Sequence, residues 1–96
     1  MNGRDLTHAE IEQRIREILV SRLQIAPGVV AAASATTPLV GRGVGLDSME
    51  TLTLAAGIET EFGISINDRD LTLDLFANIS SLSTFVVRTL SAQKSL

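Results

Sequence analysis

Three runs of aliphatic residues recur at helical spacing, and the stretch between the first two is broken by prolines and glycines. That pattern restricts the chain to helices packed through one apolar stripe each, joined across a long irregular segment. In the first run Ile11, Ile15, Ile18, Leu19 and Leu23 share a stripe, while Glu12, Arg14, Arg16, Glu17 and Arg22 fall mostly between them. Thr7 with Glu10 three residues on matches a capping box. A helix is therefore expected from residue 7 to about 25, stopped by Pro27 and Gly28. Residues 26–46 read as a long loop punctuated by Pro27, Gly28, Pro38, Gly41, Gly43 and Gly45. Propensity does not decide whether residues 29–35 hold a helical turn. Leu39, Val40, Val44 and Leu46 are expected to pin the loop onto the core. Irregular segments this long are uncommon in small domains and often functional. A second helix is expected from Asp47-Ser48 to about Phe62, with Gly63 as its stop. Ile64 and Ile66 then suggest an extended turn, and Asn67-Asp68 a brief helical turn through Asp70 and Leu71. A final helix is expected over residues 79–92, capped by Ser80 or Asn78, with Ile79, Leu82, Phe85, Val86 and Leu90 buried.

The chain has 96 residues, enough for one domain. Residues 1–6 and 93–96 read as flexible ends around a folded unit at 7–92. Hydrophobic residues make up 45% and aromatics 3%, so the core must be aliphatic, helped by Phe62, Phe76 and Phe85. The fold class expected is an all-α bundle. A net charge of −3 argues against nucleic acid, whose phosphates demand a basic patch, and is compatible with basic protein partners. There are no cysteines, which removes disulfides, thiolate metal sites and a cysteine nucleophile. No signal core and no membrane-spanning run is present. A soluble, cytoplasmic monomer is the expectation.

The second helix has an unusual distribution. At about 100° per residue, Leu54, Ala55, Ile58 and Phe62 cluster on one side, and Met49, Leu52 and Ala56 on nearly the opposite one. Glu50 and Glu61 lie on one flank and Glu59 on the other. One core needs one stripe, so the stripe led by Met49 admits two readings. The long loop wraps it, or it meets a partner protein or a bound acyl chain. Met suits a surface that adapts to several shapes, and flanking carboxylates would set docking orientation. Ser48 also admits two readings. Asp47 and Glu50 make a plausible capping box, which explains an Asp-Ser pair without any function. A hydroxyl in the first helical turn is equally well placed for modification by an external enzyme, since free N–H groups and the positive dipole end favour an anion there.

The run Gly45-Leu46-Asp47-Ser48-Met49-Glu50 resembles the phosphopantetheine attachment motif of acyl carrier proteins. The resemblance continues through Thr51-Leu52 to Ile58-Glu59-Thr60-Glu61-Phe62-Gly63-Ile64, and again at Asp74-Leu75-Phe76 and Ile79-Ser80-Ser81-Leu82. It spans residues 11–90, with 45–64 the specific part. The resemblance implies a four-helix bundle with a long loop between helices 1 and 2 and a short third helix, and no intrinsic catalysis. It implies that a phosphopantetheinyl transferase moves a 4'-phosphopantetheine arm from coenzyme A onto Ser48, whose terminal thiol carries acyl groups as thioesters. Asp47 would support recognition by the transferase. Met49, Glu50, Leu52, Ala56, Glu59 and Glu61 would face partners, namely acyl-loading and acyl-processing enzymes. Met49 stands where Leu is usual, a volume-conserving change, and Thr53 and Thr60 stand at often acidic positions. The helix is thus less acidic than in housekeeping fatty-acid carriers. That points to a specialised stand-alone carrier for a polyketide, peptide, lipid or modified fatty acid pathway.

Rival readings have less behind them. Gly-x-Ser-x-Gly is absent around Ser48, and the sole histidine, His8, opens the first helix, so a serine hydrolase is not supported. The run at 41–45 lacks the Gly-Lys-Ser/Thr of a phosphate loop, and loop flexibility is the plainer reading of its glycines. Arg42 within it is a candidate contact for the arm's phosphate or for a partner. Asp68, Asp70 and Asp74 lack calcium-loop spacing. The alternative to a carrier is a small helical interaction module that is never modified.

Overall fold

The computed structural model describes residues 6–94. The expected flexible ends fall mainly on 1–5, 95 and 96, which lie outside the described residues; Leu6 packs against the core. Among the described residues the fold is all-α: α1 (His8–Ser21), α2 (Pro27–Ala32), α3 (Ser48–Phe62) and α4 (Ile79–Lys94), with a 3₁₀ turn at Asp68–Asp70. The 3₁₀ turn takes the place of the expected short third helix. α1 packs against each of the other three helices.

α1 begins as its sequence requires. Thr7 Oγ1 accepts the Glu10 N–H (3.1 Å), and Glu10 Oε1 accepts the Thr7 N–H (2.9 Å). Ile11, Ile15, Ile18 and Leu19 are buried from this helix. It ends earlier than the expected residue 25. The Ile18 carbonyl accepts from both Arg22 N (2.8 Å) and Leu23 N (3.3 Å), and Gln24 turns the chain with φ of 59°. Leu23 and Ile25 still pack against the core, but from a turn. Apolar spacing therefore persists where the helix does not.

The long connection is not wholly irregular. Pro27 starts α2 instead of merely ending α1, because its fixed φ and missing N–H suit the first helical position. A six-residue helix cannot stand alone. Burial of Val30 and two hydrogen bonds from Arg16 Nη1, to the carbonyls of Val30 (2.7 Å) and Ala33 (2.8 Å), hold it on α1. Leu39 N–H then bonds to the Ala77 carbonyl (3.1 Å) and Ser80 N–H to the Ala35 carbonyl (2.9 Å). These bonds stitch the connection to the start of α4, where Asn78 Oδ1 accepts the Ser81 N–H (2.8 Å) as an N-cap.

The core is one aliphatic cluster. Leu54, Ile58 and Phe62 from α3 meet the α1 stripe, Ile64, Ile66, Leu75 and Phe76 from the following segment, and Ile79, Leu82 and Val86 from α4. Each such side chain contributes about 1.5–3 kcal/mol on leaving water. Phe85 and Leu90 are only half-buried. Gly63, with φ of 65°, closes α3 in the left-handed conformation, its N–H on the Glu59 carbonyl.

Candidate functional site

Two local devices fix the start of α3. The first is its cap. Asp47 Oδ1 accepts the Glu50 N–H (2.8 Å) and Glu50 Oε1 accepts the Asp47 N–H (3.1 Å), a reciprocal capping box. The second is the approach to it, expected to be flexible and found as a closed turn. Val40 and Leu46 bridge in parallel. Leu46 N–H bonds to the Leu39 carbonyl (2.8 Å), Val44 N–H to the Pro38 carbonyl (3.0 Å) and Gly41 N–H to the Leu46 carbonyl (3.3 Å). Gly43 is required there twice over: its φ is 68°, and a Cβ on it would run into the Pro38 carbonyl. Buried Leu39 and Leu46 anchor the turn to the core.

Ser48 is the first residue of α3 and is exposed. No protein group among the described residues bonds its hydroxyl, and neither its own N–H nor that of Met49 is taken up. These are the donors a helix leaves open at its first turn. The site therefore offers a free nucleophilic oxygen beside two unfilled N–H groups. Those groups fit an anionic phosphodiester with room for a long substituent.

The structure separates the residues of α3 that were expected to face partners. Met49 is 72% exposed and Leu52 57%, with Ala56 exposed one turn further along α3. The long connection does not wrap this stripe, so the first of its two readings falls away. The carboxylates are occupied within the chain. Glu50 completes the capping box, Glu59 Oε2 accepts the Ile66 N–H (2.7 Å), and Glu61 Oε2 takes Arg14 Nη1 of α1 (2.9 Å). Sequence spacing gave the flanks of Glu50, Glu59 and Glu61 but not these partners, which come from elements distant along the chain. Gly57 on α3 faces Ile18 of α1 and Arg22, the residue that closes it.

No helix among the described residues is long and apolar enough to cross a membrane. The family model described as the phosphopantetheine attachment site matches residues 13–86, from the first turns of α1 to the middle of α4, with the whole α3 start inside it. Its domain is where 4'-phosphopantetheine is covalently attached, and proteins built on it are generally carriers, not catalysts. The chain belongs to the phosphopantetheine-attachment family and is a carrier protein of acyl-carrier type.

Proposed function

We infer that Ser48 is the attachment residue and that this carrier holds acyl intermediates as thioesters for fatty acid, polyketide or related specialised biosynthesis. The observation that carries the reading is the Ser48 hydroxyl, exposed and unbonded at the first residue of α3, directly after its Asp47 cap. A phosphopantetheinyl transferase would join the Ser48 oxygen to the pantetheine phosphate of coenzyme A, with adenosine bisphosphate leaving and the hydroxyl proton passing to the enzyme. When bound, the group supplies a thiol on a long arm, in a chain that has no cysteine of its own. Asp47 positions the serine through the cap and is the natural recognition point for the transferase.

Acyl-loading and acyl-processing enzymes then meet the outward face of α3, where Met49, Leu52 and Ala56 lie beside the arm, with Glu50, Glu59 and Glu61 along its flanks. The less acidic recognition helix supports a specialised pathway over bulk fatty acid synthesis, and the protein acts as a cytoplasmic monomer. Incubation with coenzyme A and a promiscuous transferase, followed by intact-mass measurement, tests the attachment. One phosphopantetheine adds to the wild type and none to Ser48→Ala. An addition that survives Ser48→Ala moves the attachment elsewhere. No addition to either leaves the chain an unmodified interaction module.

A further inference from the structure

Between positions 23 and 68 the sequence contains a single arginine or lysine, Arg42. It falls in the closed turn that delivers Ser48. Arg42 N–H bonds to the Val40 carbonyl (2.9 Å), and its own carbonyl accepts the Gly45 N–H (3.3 Å). The neighbouring Gly41 N–H reaches the Leu46 carbonyl. These bonds fold the chain back so that Arg42 lies against Gly45, three residues before Ser48, instead of trailing six positions away along an extended strand. The Arg42 side chain is exposed and pairs with no carboxylate among the described residues.

The arginines of α1 and its C-terminal end are engaged elsewhere. Arg14 holds Glu61 in the last turn, Arg16 holds α2, and Arg22 packs over Gly57. At the start of α3 the fixed charges are the carboxylates of Asp47 and Glu50, and both would repel an anion on Ser48. The open N–H groups of Ser48 and Met49 offset this only in part. Arg42 is the cation nearest to Ser48 along the chain and the one carried by the turn that leads into α3.

We propose that Arg42 is a positioning residue that pairs with the phosphodiester of the arm once it is on Ser48, restricting the root of the arm. This rests on the attachment reading above. The guanidinium presents several N–H donors in one plane, which suits two phosphate oxygens.

The test uses holo-protein, its single addition verified by mass. The phosphodiester gives one 31P resonance. At low salt, Arg42→Gln shifts that resonance and narrows its line, while Arg42→Lys keeps most of the wild-type shift. Near 1 M salt, where the Debye length is about 3 Å, wild type moves toward Arg42→Gln. A 31P spectrum of Arg42→Gln that superposes on wild type at low salt overturns the proposal, and does so also if transferase KM rises, because Arg42 then serves the transferase. The wild-type chain gives a second measurement that needs no variant: the Arg42 Nε–Hε cross-peak moves between apo and holo forms, and an unmoved peak counts against the pairing. Failure to form holo-protein at all sinks the attachment reading instead.

Discussion

Gly57 lies inside α3, where glycine costs about 1 kcal/mol relative to alanine. The structure gives the reason for that cost. A Cβ at this position would stand 2.8 Å from Ile18 Cγ2 and 3.0 Å from Arg22 Cδ. Arg22 can swing away. Ile18 is β-branched and buried, so its methyl has little freedom to move. Overpacking of this kind costs about 1–3 kcal/mol, more than the propensity gained. Gly57→Ala is therefore expected to lower stability by about 1 kcal/mol, seen as a reduced urea midpoint at unchanged slope. A raised midpoint would show that α1 shifts to make room and that propensity wins. Asp47 shows the opposite economy at the same scale. One carboxylate both caps α3 and stands next to the exposed Ser48 hydroxyl, so the structural and functional readings of the Asp-Ser pair are compatible.

Among the elements, α2 depends most on a single residue. Its six residues bury only Val30, and Arg16 ties its last carbonyls to α1. Arg16→Ala is expected to speed amide exchange at Val30 and Ala33, whose N–H groups close the helix onto Ala26, Val29 and Val30, while protection inside α3 is unchanged. Equal protection in both proteins would mean that Val30 alone holds α2. The arginine also marks where the sequence stops being readable. The stripes of α1, α3 and α4, the capping boxes at Thr7 and Asp47 and the stop at Gly63 depend on neighbours within four residues, and each was visible as a pattern. Arg16 lay between apolar positions with nothing to mark its role, because its carbonyl partners come 14 and 17 residues later. α2 was hidden for a related reason: Pro27 reads as a breaker after one helix and as a first residue before another. The closed turn at 38–46 was hidden because its glycines signal freedom of φ, and only the long-range bonds show that the freedom is spent on one conformation. At the candidate site Ser48 and Asp47 could be named from the motif, whereas the internal partners of Glu59 and Glu61 could not.

At the level of the whole molecule, α3 divides its work between two faces, and two leucines separated by one residue measure the division. Leu54 is fully buried in the core cluster, while Leu52 is 57% exposed beside the Ser48 end. Leu54→Ala removes about three carbons' worth of packing and leaves a cavity, so it is expected to cost about 2–5 kcal/mol. Leu52→Ala removes the same atoms from a face already in water, and its effect on stability is expected to stay within about 0.5 kcal/mol. Partner recognition should respond in the reverse order. If Met49 and Leu52 form the contact through which an enzyme grips the carrier, loss of the Leu52 side chain removes more than about 1 kcal/mol of docking energy. That corresponds to roughly a five-fold or larger fall in kcat/KM for arm transfer, with folding intact. Denaturation in urea and transferase kinetics on the two variants separate the faces. Unchanged kinetics for Leu52→Ala would move the docking contact off this stripe, and a large loss of stability in the same variant would mean that the exposed leucine is part of the core after all. With two single-residue changes on one helix, the experiment can therefore place the boundary between what holds the carrier together and what other proteins read on it.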